Sequence, residues 1–389
     1  MIKLKLSLVI FLTLICLNAR AQDNSNIEYI VDSTAFGKDR TIKVFIPARY
    51  HQDSTSTYIV TYVLDAQSDE FWNMAKSNIA YMVNQYSVIP MLVVGIVSDN
   101  RSKEFSMPAT QLQQHLKNEV FPLIESKYRV KDFRVIVGHS RGGAFVANTL
   151  FSDNNGLFDG YIGISPSLGH HNNATLEKAA SMLKANSVFK KYLYLSYGDV
   201  GGSEKKVGEG VQAIDALIKK YPNKSLAWKS RLIKGTDHWQ LVIPSLSDGL
   251  ISMSRNYLAD QQVIGDFASQ PDGELKQQIK QFYLDKDTHF GFAEKQTPDY
   301  LRYIAEDFRD TGNYKNAVVL FKMALEEVPD DIKVNLSLAD TYEKMQEKDL
   351  ANEYFKKTLA LLEQQQDSVD ENYYFNVSNW LKGKLNQSK

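Results

Sequence analysis

At 389 residues, 43% hydrophobic and 23% charged, the chain is long and apolar enough to bury at least one large core, which excludes an intrinsically disordered protein. Its 45 Lys and Arg nearly balance its 46 Asp and Glu, leaving no positive excess to follow a phosphate backbone, so the composition counts against nucleic acid as a partner. With 10 Pro and 21 Gly neither a collagen-like nor a linker-dominated architecture is expected, and the length predicts two domains.

In chain order the first feature is Lys3 and Lys5, then an apolar stretch from Leu6 to Leu17 and a small-residue end, Ala19-Arg20-Ala21. This pattern predicts a secretory signal peptide over residues 1–21, with a periplasmic or secreted product and a mildly acidic mature chain. An uncleaved membrane anchor is the alternative. The single cysteine, Cys16, lies inside this segment, so no disulfide, thiolate metal site or Cys nucleophile is expected in the mature chain. Lipidation of Cys16 is the competing reading, against which Ile15 is a poor match to the small residue that lipoprotein signals place there.

From Ile27 strands alternate with helices. Ile42 to Ile46 alternates polar and apolar residues and stops at Pro47, predicting a half-exposed edge strand. Tyr58 to Leu64 and Met91 to Val97 are nearly continuous apolar runs, as in parallel strands covered on both faces. Gln111 to Tyr128 is amphipathic, and short strands are predicted at Arg134 to Val137, Tyr161 to Ile164, Tyr192 to Tyr197 and Leu226 to Ile233. The alternation predicts an α/β fold with a mostly parallel sheet flanked by helices. Beyond about residue 260 the strand signal ends, with Ser269-Gln270-Pro271-Asp272-Gly273 as punctuation. In the helical remainder Ala305, Ala317 and Phe321 recur 34 residues later as Ala339, Ala351 and Phe355, and Phe308 is answered by Tyr342. A plain helical hairpin is the simpler reading of this segment.

The chemistry is concentrated at Gly138-His139-Ser140-Arg141-Gly142-Gly143, between a strand and an apolar helix. A strand-to-helix turn there would hold Ser140 in a strained conformation with its Oγ above the sheet, and glycines are needed where the chain passes close to itself. Serine needs a base, and His238 follows the last strand through a short loop. The other histidines, His51, His115, His139, His170, His171 and His289, are expected to be mostly solvated surface groups. The acid that orients the imidazole should follow the strand ending at Tyr197, where the loop offers Glu204 and Asp199. Glu204 is preferred, because Gly201-Gly202 let the chain fold back and bring the longer side chain over the histidine. The backbone N–H groups of Arg141 and Gln67 are the expected oxyanion donors.

These residues together form a recognisable set. Residues 27 to 258 resemble the putative-esterase family of α/β-hydrolases, which includes enterobactin esterases, S-formylglutathione hydrolases, feruloyl esterases and mycolyltransferases. The resemblance is carried by Tyr62-Val63-Leu64-Asp65, Arg101-Ser102-Lys103-Glu104-Phe105, the Ser140 turn, Ser165-Pro166-Ser167, and His238 with the later Gly249-Leu250. Ala66 and Arg141 depart from the family pattern, which has glycine at the first position and an apolar or aromatic residue at the second. The likeness implies a triad of Ser140, His238 and an acid in the Glu204 loop, with siderophore esterases of the enterobactin type as the nearest branch. Residues 298 to 364 resemble tetratricopeptide repeats, but lack the early Trp and carry Gln346 where the first unit has Gly312.

The expected organisation is a signal peptide at 1–21, an α/β-hydrolase domain at 22–265, a helical linker at 266–297, and helical repeats with a capping helix at 298–389. The expected function is a serine carboxylic-ester hydrolase acting on a small-molecule ester, siderophore and carbohydrate esters among them, with no cofactor, no metal and no stable membrane span after signal removal. A non-catalytic scaffold gripping a protein partner through the helical repeats is the reading from a different class.

Overall fold

The structure is a computed structural model and describes residues 26–52, 56–85, 87–171, 174–185, 190–223, 225–258, 260–269, 274–290 and 298–387. The predicted signal peptide, including Cys16, and the Gln270 to Gly273 punctuation lie outside the described residues.

Eight strands form one sheet: β1 (Asn26–Ser33), β2 (Lys38–Phe45), β3 (Tyr58–Val63), β4 (Met91–Ile96), β5 (Val130–His139), β6 (Gly160–Ile164), β7 (Lys191–Gly198) and β8 (Leu226–Ile233). Their order is β1-β2-β4-β3-β5-β6-β7-β8; β1 and β2 run antiparallel to their neighbours, and all pairings from β4 through β8 are parallel. This is an α/β-hydrolase-like sheet, with strand-to-helix turns gathered at one end. The two apolar runs become β3 and β4, buried at every position, because helices cover both faces.

One strand expectation is corrected. The segment around Ile42 to Ile46 does not form the edge, because β1 pairs with β2 along its whole length and takes that position. The alternation in β2 reflects one face turned to the core, where Ile42 and Val44 are fully buried. The hairpin turn joining the two strands contains Gly37 at φ 65°, where a side chain would be strained.

Two apolar clusters sandwich the sheet. One includes Tyr62, Phe121, Phe145 and Phe158, and the other includes Trp72, Ile79, Ile162 and Leu250. A third cluster, from Ile264 to Leu381, is built by the all-helical C-terminal region. There Pro298–Asp310, Tyr314–Glu327, Ile332–Lys344 and Lys348–Gln364 are successive helices, followed by Glu371–Gln387. The small residues that recur in sequence, Ala305, Ala317, Ala339 and Ala351, are buried with Phe321 and Phe355 in this core. Among the described residues no helix is long and apolar enough to cross a membrane.

Candidate active site

β5 runs directly into the helix Arg141–Leu150, and Ser140 is the hinge, with φ 59° and ψ −113°. That conformation lies outside the regions an L-residue ordinarily adopts, and tight packing on both sides holds it. A Cβ on Gly138 would lie 2.3 Å from the carbonyl oxygen of Gly142, and one on Gly143 would lie 2.9 Å from that of Ile164. The Ser140 N–H donates to the carbonyl of Ile164 at the end of β6 (2.9 Å). Thus the strained turn exists because three chain segments meet where no side chains intervene.

The loop carrying His238 is fastened to the end of β7. The N–H groups of Asp199 and Val200 both donate to the carbonyl of Thr236, at 3.2 and 3.1 Å. A Cβ on Gly198 would fall 2.1 Å from the same oxygen, so only glycine permits this approach. Asp199 accepts from the N–H of Gly235 (2.7 Å), which makes it a brace for the His238 loop and not a partner of the imidazole.

Glu204 lies in the first turn of the helix Gly202–Lys220 rather than in the loop expected from sequence. The chain turns at Gly201, φ 91°, so the carboxylate points back toward β7. It is 0% exposed: Oε1 lies 2.7 Å from His238 Nδ1, and Oε2 accepts from the N–H of Gly198 at 2.7 Å. A helix N-terminus also favours negative charge. The structure therefore brings Glu204 and His238 together and leaves Asp199 elsewhere.

Ser140 Oγ meets Ser167 Oγ at 3.3 Å. Among the described residues no hydrogen bond joins Ser140 to His238. The two are linked through His139, whose ring centroid lies 4.6 Å from that of His238 and whose Nε2–H donates to the His238 carbonyl (2.8 Å). Trp239 packs on both histidines while remaining 71% exposed at the rim.

Arg141 is the first residue of the helix after Ser140, so its N–H belongs to the positive end of that helix. Gln67 lies in the loop after β3. Its side chain donates to Asp65 Oδ1 (2.9 Å) and accepts from the N–H of Ser98 (2.9 Å). Asp65, itself at φ 65°, takes a two-pronged contact from Arg101, with Nε 2.7 Å from Oδ1 and Nη2 2.9 Å from Oδ2. A Cβ on Gly142 would touch Asp65, so this loop lies against the Ser140 turn. Behind it the methyl of Ala66 fits because Gly95 has no Cβ; one placed there would lie 2.7 Å from Ala66 Cβ.

The expectation of mostly solvated histidines fails at two positions. His115 and His139 are buried. His115 meets Glu119 in the helical stretch after Thr110, and burial pushes its ionisation below the ordinary histidine value. Burial, and secondarily the neighbouring His238, lower His139 to about 4. His51 is exposed as expected, and the side chains of His170, His171 and His289 lie outside the described residues. Sequence reasoning assigned no chemical role to Ser165, Ser167 or the Asp65–Arg101 pair; the grouped motifs around Ser165-Pro166-Ser167 and Arg101 were the only available signal.

Residues 33–241, more than half of the chain, match the family model described as putative esterase. The chain belongs to the putative-esterase family. This esterase-family hydrolase is similar in fold to an IroE-like serine hydrolase from Shewanella oneidensis, with 19% identity, a TM-score of 0.62, and coverage of 78% of this chain and 100% of that one. An uncharacterised protein from Capnocytophaga ochracea matches with 13% identity and a TM-score of 0.71 over 93% of this chain and 99% of its own. The siderophore hydrolase EstB from Aspergillus nidulans matches with 16% identity and a TM-score of 0.52 over 60% of this chain and 96% of its own. No curated protein matches in sequence.

Proposed function

We propose that this protein is an exported serine carboxylic-ester hydrolase working through Ser140, His238 and Glu204. The observation that carries the reading is the 2.7 Å contact between His238 Nδ1 and a fully buried Glu204, with Ser140 on a strained turn beside the same imidazole's neighbour.

In this reading Ser140 Oγ attacks the ester carbonyl carbon and gives its proton to His238 Nε2, while Glu204 stabilises the imidazolium. The negative oxygen of the tetrahedral intermediate is received by the N–H groups of Arg141 and Gln67. Collapse breaks the bond to the alcohol, which leaves with the proton from His238, and Ser140 stays acylated. Water then gives a proton to His238 and attacks the acyl carbon; the acid departs and Ser140 recovers its proton. Bound substrate draws Ser140 and His238 into line, since such hydrogen bonds commonly tighten only in the substrate complex.

Siderophore esters are the first substrate class to try, because a siderophore hydrolase and an IroE-like hydrolase share the fold; carbohydrate esters are the second. The positively charged start, apolar stretch and small-residue end of residues 1–21 support export to the periplasm or beyond. The test is turnover of a short-chain nitrophenyl ester by wild type and Ser140→Ala. The variant should lose nearly all activity, and unchanged turnover would remove Ser140 from the reaction.

A further inference from the structure

The turn leaving β6 carries a buried hydroxyl that the reaction as derived does not use. Ser165 is 0% exposed, and its Oγ lies 2.6 Å from Glu204 Oε1 and 2.8 Å from His238 Nδ1. Those two atoms are themselves 2.7 Å apart, so serine, acid and base close a triangle. A hydroxyl has one proton to donate, and an ionised carboxylate can only accept. The Ser165 O–H therefore donates to Glu204 Oε1, and its oxygen shares the Nδ1–H of His238 with the same carboxylate.

The backbone holds this arrangement in place. The Ser165 N–H donates to the carbonyl of Ser196 on β7 (2.9 Å), and the residue sits at φ 43°, a conformation that strains a non-glycine residue. Two residues on, the Ser167 N–H donates to the carbonyl of Ser140 (3.0 Å). One short turn thus touches the nucleophile's peptide and the acid–base pair. Glu204 receives its contacts from Ser165, His238 and the Gly198 N–H in a place closed to solvent, where a lost donor is not readily replaced by water.

We infer that Ser165 is a positioning residue for the reaction: its hydroxyl fixes the Glu204 carboxylate and the His238 ring so that Nδ1 faces the acid and Nε2 is left for Ser140. The inference rests on the Ser140–His238–Glu204 reading. It assigns Ser165 no contact with substrate.

The experiment compares wild type, Ser165→Ala, Ser165→Gly and Ser140→Ala on a short-chain nitrophenyl ester. Both Ser165 variants should lower kcat roughly 10-fold, the scale of one hydrogen bond to a charged group, and leave KM within about twofold. The downfield proton resonance of His238 Nδ1 should also move in both. The glycine variant relieves the positive φ and carries the test if the alanine variant does not fold. Wild-type kcat and an unmoved resonance in the Ser165 variants, with Ser140→Ala inactive, would overturn the inference and leave the triad standing. Recovery of kcat in Ser165→Gly but not in Ser165→Ala would place the effect in the backbone and overturn it too. An active Ser140→Ala would instead remove the triad reading, and the role of Ser165 with it.

Discussion

The rings of His139 and His238 lie 4.6 Å apart between centroids and tilted by 43°, and the Nε2–H of His139 donates to the carbonyl of His238. The residue before Ser140 thereby supports the loop that carries His238. It does so as a neutral ring, since burial and the adjacent His238 hold its ionisation down to about 4.

That depression predicts a pH dependence of stability. On acidification through the ordinary histidine value near 6.5, the unfolded chain takes up a proton that folded His139 refuses until about pH 4. Stability should therefore fall across that window, by up to about 1.4 kcal/mol per pH unit from this group, and the contribution should stop changing below about pH 4. Denaturant unfolding of wild type and His139→Gln between pH 7 and 4 checks this. The variant should show the shallower loss, and parallel curves would contradict the assignment.

The two carboxylates after β7 should separate cleanly. Glu204→Gln removes the buried charge that faces His238 Nδ1 and should lower kcat by about 10² to 10⁴-fold, as for an amide-substituted triad acid. Asp199→Asn keeps a side-chain oxygen to accept the Gly235 N–H and should stay within a few-fold of wild type. Steady-state kinetics of the two variants decide the matter, and the reverse pattern would exchange their roles.

Ala66 and Gly95 form a packing pair behind the loop of Gln67. A methyl added at Gly95 would meet Ala66 Cβ at 2.7 Å and the Trp72 ring at 2.8 Å, so Gly95→Ala should destabilise the fold by about 1–3 kcal/mol. At Gly156 nothing lies within 4 Å, and Gly156→Ala should be close to neutral. Chemical denaturation of both variants measures the contrast.

The nearly continuous apolar runs of β3 and β4, broken only by the buried Thr61, were legible because a strand covered on both faces turns no side to solvent. Ser140 was legible for a similar reason, since Gly138 and Gly142 mark a chain crossing that excludes side chains. The place of β2 was not, because its alternation is the same whether a polar neighbour such as β1 covers its edge or not. Nor was the burial of His139, which depends on Phe71 and Trp239 arriving from distant segments. Ser165 reads in sequence as one serine in a Pro turn. Its meeting with Glu204, 39 positions away, arises only when β6 and β7 pair.

The central claim is that Ser140 is the nucleophile, and Ser167, with its hydroxyl 3.3 Å away, is the rival beside it. The most direct measurement is reaction of the folded protein with a fluorophosphonate, followed by mass spectrometry of the modified peptide. The account predicts one equivalent of phosphonate on Ser140, with much slower labelling in Glu204→Gln. Modification of Ser167 instead, or labelling of Ser140→Ala at the wild-type rate, would contradict it.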